Sequence, residues 1–289
     1  MKLDTFIEKA NDLGRQRVPF IFVIDFERET PQLFTLADAA GQTVLFQVKG
    51  VKNYSETASN PSTLQMDMKP VDYARYLEAF NRVMVQIQTG NSYLLNLTFP
   101  TELQSSHPLS ELFYRARAPY KLYFKDQFIV FSPESFVKTD GNYIFSYPMK
   151  GTIDAALPDA AKQILENNKE LWEHHTIVDL IRNDLAIISK NITVTRFRYI
   201  SKIRTIRKNI LQVSSEIRGE LGQNWQDRIG ENLIKLLPAG SISGAPKART
   251  VEIIKDVEKI KRGFFTGIFG IFDGKNLDSA VNIRFIERT

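Results

Sequence analysis

Cysteine is absent from the 289 residues, and that removes several chemistries at once. There can be no disulfide, no thiolate metal site and no cysteine nucleophile, a composition that suits a reducing compartment and leads us to expect a cytoplasmic protein. Long apolar runs are missing too. No segment approaches the roughly 18 residues a membrane helix needs, so no membrane association is expected. The N-terminal MKLDTFIEKANDLG carries acids and lacks an apolar core, which excludes a secretory signal. The phosphate-binding pattern GxxxxGK[ST] does not occur. His174 and His175 lack partners at metal-ligand spacing, which argues against zinc. Neither internal repeats nor low-complexity tracts are found.

What is present is ordinary in bulk: 43% hydrophobic and 25% charged residues, in a chain long enough to bury a core. The formal charge of +5 suits an anionic substrate. Residues 3–14 have the spacing of an amphipathic helix, and FIFVIDF and TVLFQVKG read as strands. Residues 52–69 are polar, with a loop at Asn60-Pro61. A helix is predicted over 72–88 with Gly90 near its end. SYLLNLTF, YKLYF, QFIVFS and NYIFSYPM read as strands, with a turn at Asp140-Gly141. One long helix is predicted from 158 to 188, then a strand at ITVTRFRYI, a helix over 225–236, a Gly/Pro loop over 238–246 and a helix over 246–261. GFFTGIFGIFDG and LDSAVNIRFIE form a closing hairpin. Strand runs interrupted by helices imply an α+β chain with mainly antiparallel sheets. The basic stretch RFRYISKIRTIRK has charge but few interleaved aromatics, so a solvated strand face is preferred over a nucleic-acid site.

Four constellations could carry chemistry. In the long helix, Glu166, Glu170 and Glu173 fall on one face by their spacing, where a divalent cation would relieve their repulsion; a solvent-facing acidic side is the alternative. In LLPAGSISGAPKARTVEII, a loop opens into a helix whose first turn holds Pro246 and Lys247, an arrangement that suits a carboxylate or phosphate, or simply connects two elements. Glu134 in FSPESF and Lys150 in YPMKGT come close if the intervening hairpin forms, giving an acid and an amine, or merely a surface ion pair. Arg284 in NIRF could grip a carboxylate from a strand.

Taken together and in order, GNSYLLNLTF, SPESF, PMKGT, KELWEHHTIVDLIRND, PAGSISGAPKARTVEII, KRGFFTGIFGIF and NIRF resemble the chorismate-utilising enzyme family over roughly residues 70–288. That family includes anthranilate synthase large component, aminodeoxychorismate synthase component I and the isochorismate and salicylate synthases. The resemblance implies an anthranilate-synthase-like α/β fold (α+β type), with two large, mainly antiparallel sheets packed face to face and helices outside. It also implies a single chorismate-binding domain over 1–289, with a reduced N-terminal part over 1–69 and a catalytic core over 70–289.

Within the family the residue before GT separates the branches. Lysine there, Lys150, points to aminodeoxychorismate synthase and the p-aminobenzoate route to folate. Leu94, next to Leu95 and Asn96, stands where water-activating relatives carry lysine. The implied mechanism has Lys150, made neutral by desolvation, adding to C2 of chorismate while Glu134 protonates the departing C4 hydroxyl. Ammonia from a separate glutamine amidotransferase subunit then displaces the lysine. The implied substrate-binding set is Ser243, Gly244, Ala245, Lys247, Arg284, Asn96, Gly151 and Thr152, with Mg²⁺ held by Glu173 and Glu170. Anthranilate or isochorismate synthase activity, and a non-catalytic ligand- or partner-binding role, are the alternatives. Departures from the family pattern are Ser135 for arginine, Gln212 for histidine and Phe265 for tyrosine. The leucine-glutamate-serine signature of the feedback pocket is also missing, so tryptophan is expected not to bind. The glycine-rich strand and the helix of further glutamates that follow NIRF in the family are not in this sequence. The 289-residue form alone is therefore expected not to order Mg²⁺.

Overall fold

The computed structural model describes residues 1–56, 63–204 and 208–289; the Asn60-Pro61 turn and residues 205–207 of the basic stretch lie outside them. The chain opens with α1 (Leu3–Arg15), β1 (Phe20–Ile24), β2 (Gln32–Thr35), the one-turn α2 (Leu36–Ala39), β3 (Val44–Val48), β4 (Val51–Lys52) and β5 (Met66–Lys69). Next come α3 (Tyr73–Gln88), β6 (Leu94–Leu95), β7 (Glu102–Ser105), α4 (Leu109–Arg115), β8 (Tyr120–Phe124), β9 (Phe128–Ser132), β10 (Ser135–Asp140), β11 (Tyr143–Ser146) and β12 (Met149–Asp154). Two helices follow, α5 (Ala160–Glu166) and α6 (Asn168–Ala186), then the long strands β13 (Lys190–Arg204) and β14 (Asn209–Glu220). The chain closes with α7 (Ile229–Lys235), α8 (Gly240–Ser243), β15 (Gly244–Ala245), α9 (Lys247–Glu258), β16 (Ile268–Phe272), β17 (Leu277–Val281) and β18 (Phe285–Glu287).

All five side chains of β1 are buried, which demands apolar layers on both faces of the strand. Phe20, Phe22 and Ile24 join Phe6, Ile177, Ile181 and Leu233 in a core between sheet and helices. Ile21 and Val23 join Val44, Phe46, Leu122 and Val130 in a second core. That second core lies between a nine-stranded sheet, ordered β12-β14-β11-β10-β17-β16-β1-β2 with β13 also on β14, and a five-stranded sheet, ordered β18-β9-β8-β3-β4. Every pairing in the two sheets is antiparallel. The face-to-face arrangement implied by the family resemblance is thus present. β1 to β4 of the N-terminal part are woven into it, since β1 pairs with β16 and β3 with β8, whereas β5 pairs with β7 in a separate two-stranded sheet.

Four local expectations need correction. The predicted 158–188 helix is two helices: Asn167 leaves helical geometry at ψ 108 and its side-chain oxygen accepts the Glu170 N–H at 3.1 Å. Glu166 therefore ends α5 and does not share a helix with Glu170 and Glu173. The apolar spacing runs on across the break, which is why periodicity alone misses a cap of this kind. SYLLNLTF shortens to the two residues of β6, which pair only with Gly244 and Ala245. QFIVFS and NYIFSYPM do not share a sheet: β9 belongs to the five-stranded sheet, and the chain crosses to the nine-stranded one at Pro133-Glu134. Finally, Asn209–Glu220, given no element by the sequence reading, is the longest shared rail of the larger sheet, flanked by β11, β12 and β13.

Candidate active site

Lys150 is held by an irregularity. Met149 pairs with Ser214 and Thr152 with Gln212, so three steps on β12 face two on β14. This is a β-bulge at Lys150-Gly151, the device by which a strand re-aims a side chain. Gly151 has φ +88, which favours glycine, and a Cβ there would sit 3.0 Å from Glu170 Oε2 and press on that carboxylate. Lys150 Nζ meets Glu173 Oε2 at 3.1 Å, and Lys169 Nζ lies 3.8 Å from the other oxygen of Glu173. Lys150 is about a third exposed (35%). What the structure supplies at this amine is contact with a carboxylate rather than the burial expected.

Glu134 sits where the chain changes sheets. Its backbone is fixed on both sides: its N–H donates to Ser132 Oγ (3.1 Å), and its carbonyl accepts from Val281 N–H (3.2 Å). Its carboxylate accepts a 2.6 Å hydrogen bond from Ser241 Oγ of α8. Desolvation pushes the Glu134 carboxyl up from the usual carboxylate range; the Ser241 bond and the Arg284 charge oppose it but do not win. That bias toward the protonated form is what a general acid needs. Among the described residues no ion pair or hydrogen bond joins Lys150 to Glu134 directly. Both lie near α6, which presents Glu173 to Lys150 and Asp184 to Lys247 of α9 and to the backbone of Gly240, next to Ser241.

The predicted anion loop is partly committed elsewhere. Lys247 Nζ pairs with Asp184 Oδ1 (2.8 Å) and donates to the Leu236 carbonyl (3.0 Å), so its ammonium ties α9 to α6. Burial pushes the Asp184 carboxyl up against the opposing pull of Lys247. Ser243 is fully buried and donates both its N–H and its hydroxyl to the Ala239 carbonyl; its groups do not form a free cradle. Gly244, at φ +104, lets Leu94 O approach to where a Cβ would stand 1.9 Å away, which seats Gly244 and Ala245 on β6. Asn96 is exposed, with its carbonyl bonded to Arg262 Nη2 at 2.6 Å. Thr152 is exposed opposite Gln212. Arg284 is not a strand residue. It lies just before β18 with φ 55, exposed, and its charge reaches Glu134.

Ser241 and Asp184 were not singled out in the sequence, and His174 entered only as a histidine unsuited to zinc. Ser241 lies inside GSISG and Asp184 inside RND, opposite in charge to the lysine of GAPK; that complementarity was the available signal. The basic stretch is used internally in part: Arg196 stacks on Tyr199 at 3.9 Å, and Arg198 donates to the Ile164 and Leu165 carbonyls.

For Mg²⁺, Glu170 and Glu173 offer the hard oxygen donors that ion takes. Among the described residues, no group of three or more His, Cys, Asp or Glu could hold a metal. By donor chemistry these two are the residues that would hold the ion, with the remaining positions left to water and a substrate carboxylate, although Glu173 is paired with Lys150 and Lys169.

Comparison with known proteins gives the family of the chain. A PabA-like protein of Haemophilus influenzae is 53% identical over 283 residues, spanning 98% of this chain and 86% of its own length. A second, from Pasteurella multocida, is 52% identical over 100% of this chain and 89% of its own. Aminodeoxychorismate synthase component 1 of Bacillus subtilis is 32% identical over 77% of this chain, which spans 49% of that enzyme. Among solved structures, anthranilate synthase component I of Streptococcus pneumoniae superposes with TM-score 0.62 at 25% identity, over 76% of this chain and 51% of that one. The menaquinone-specific isochorismate synthase of Escherichia coli gives 0.65 at 14% identity, over 98% and 73%, a likeness of fold alone. The chorismate binding enzyme family matches residues 18–289, so the bulged lysine, the desolvated glutamate and the helix between them belong to a member of the chorismate-binding enzyme family.

Proposed function

We propose that the protein is an aminodeoxychorismate synthase component I, converting chorismate and ammonia to 4-amino-4-deoxychorismate and water. The observation that carries this reading is Lys150 itself, set in a bulge and held at 3.1 Å from Glu173. A lysine placed this rigidly is suited to be a nucleophile. Lys150 gives up a proton to solvent, Glu173 Oε2 at 3.1 Å holds the amine in place, and the amine adds to C2 of the ring. Both ring double bonds shift, the C4–O bond breaks, and Glu134 supplies the proton that lets the hydroxyl leave as water. Ammonia then adds at C4, and the electron pair returns to expel Lys150 from C2. Arg284 lies close enough to influence Glu134 and is suited to a substrate carboxylate. When bound at Glu170 and Glu173, Mg²⁺ would supply counter-charge to the ring carboxylate. The ammonia source is a glutamine amidotransferase subunit, and the setting is the cytoplasm.

The test is to incubate the protein with chorismate, ammonium and Mg²⁺ and to resolve products by liquid chromatography and mass spectrometry. 4-Amino-4-deoxychorismate is expected. Anthranilate or isochorismate as the main product would overturn the assignment in favour of another family activity, and no turnover would favour a binding role.

A further inference from the structure

His174 follows Glu173 on α6, yet the two side chains do opposite things. Glu173 reaches outward to Lys150, while His174 is completely buried (0% exposed) beneath β12 and β14. Its Nε2 lies 2.7 Å from Ser215 Oγ, and its Nδ1, also buried, has no hydrogen-bond partner. Buried polar atoms without partners are rare and call for an explanation.

The ring's tautomer follows from counting donors. Ser215 Oγ already accepts the Arg198 N–H at 3.0 Å. If His174 carried its proton on Nε2 and donated to Ser215, the serine hydroxyl hydrogen would have no acceptor, and Nδ1 would be an unmet lone pair. Two groups would then be orphaned. If the serine hydroxyl donates to Nε2, only Nδ1–H is left over. Both make one bond between ring and serine, and the second is favoured because it leaves one fewer buried group unmet. The ring also lies beside the backbone of Lys150. The same serine donates its N–H to the Pro148 carbonyl at 3.0 Å. Ser215 therefore touches the backbone immediately before β12, while His174 lies against the backbone of Lys150 in the bulge.

We infer that His174 is a positioning residue for Lys150: its Nδ1–H is held ready beneath the bulge and closes onto the Lys150 carbonyl when ligand draws that segment down. The chain of contacts runs from Arg198 N–H to Ser215 Oγ, from Ser215 Oγ–H to His174 Nε2, and from Nδ1–H to the backbone that carries the amine. His174 itself touches no substrate. The inference rests on the reading of Lys150 as the reacting amine, but the tautomer and its change on binding do not.

Two measurements test it. In nitrogen-15 NMR of the full-length protein, wild-type His174 is expected to be protonated on Nδ1, with that resonance moving toward stronger hydrogen bonding when chorismate is added. An Nε2–H tautomer, or an Nδ1 signal that chorismate leaves unmoved, overturns the proposal. In kinetics, His174→Asn keeps a donor near the Nδ1 position and His174→Gln keeps an acceptor near Nε2. The Asn variant is expected to hold kcat within about threefold, and the Gln variant to lose about tenfold in kcat with KM within about twofold. Equal losses in the two variants, or a loss confined to KM, refute the positioning role. If wild-type protein makes no aminated product, the reading of the activity fails, while the NMR result still decides the hydrogen bond.

Discussion

Replacing Glu258 by glutamine is expected to cost the fold more than any conservative change at the surface. The Glu258 side chain is wholly buried and the Arg262 side chain is 2% exposed. Glu258 accepts from Arg262 Nη2 at 2.6 Å and Nε at 2.9 Å, and from the Thr98 N–H at 2.9 Å. Arg262 also bonds the Asn96 carbonyl and stacks on Phe26 at 4.8 Å. Glutamine keeps one acceptor oxygen and turns an NH₂ toward a donor. One charge-assisted bond is lost, worth about 1.5–3 kcal/mol, and the guanidinium stays buried without a counter-charge, so the total should be about 3–5 kcal/mol. With a urea m-value of about 3 kcal/mol/M, the midpoint falls by about 1–1.7 M. Reversible urea unfolding followed by tryptophan fluorescence measures this. The double variant Glu258→Leu/Arg262→Met should recover part of the loss, because two apolar groups replace the pair. A single-variant loss under about 1 kcal/mol would refute the argument, since it would mean water reaches the pair and screens it. The consequence for activity lies in the segment 96–98, which both residues hold in place.

Lys150→Ala should lower kcat by at least about a hundredfold while leaving chorismate affinity within a few-fold, measured by product assay and calorimetry; unchanged turnover removes the main support for the amination reading. Gly151→Ala should destabilise by about 1–2 kcal/mol and displace Glu170, because φ is +88 and the added Cβ meets that carboxylate; unaltered thermal stability would show the bulge to be slack. His174, lowered from 6.5 to about 4, stabilises the fold fully above about pH 6.5, and this contribution is lost as pH falls toward 4, up to about 3 kcal/mol. The buried carboxyls Glu134 and Asp184, raised in the fold, act in the opposite sense, so the test compares the pH dependence of wild type with that of His174→Asn; parallel curves would exclude the effect. Tryptophan should show no micromolar binding by calorimetry, given the missing pocket signature.

The parts legible in the sequence were those whose signal is local. β8 and β9 stand in YKLYF and QFIVFS as short apolar runs, and the helix expected over 72–88 is α3, where the structure adds Asp72 as an N-cap accepting from Ala74 N–H at 2.9 Å. Lys150 and Glu173 were read from quoted segments, and their ion pair shows that the two belong to one place. What escaped depends on partners far away in sequence. β14 is half-buried with mixed polarity because β11 and β12 share one edge and β13 takes the other, a circumstance no window of residues reports. Ser241 is one of two serines in GSISG, and only the crossing of the chain at Pro133-Glu134 selects it as partner to Glu134. Asn167 interrupts a periodic pattern that is otherwise continuous. Lys247 was read as a substrate contact from its place in GAPK, but the buried Asp184 carboxyl captures it first.

The bulge at Lys150-Gly151 counts residues. Strand side chains alternate with a period of two, so one extra residue inverts the facing of everything after it. Deleting Gly151 would leave the lysine in the chain but turn Thr152, Ile153 and Asp154 over, sending Ile153 to the face now used by its neighbours. Over evolutionary time this makes segment length harder to change than residue identity. The side chain at 150 can be exchanged one codon at a time, whereas gaining or losing a single codon between 149 and 152 would have to be matched at once along β14. Relatives that differ in the chemistry performed at this position should therefore still align through it without a gap.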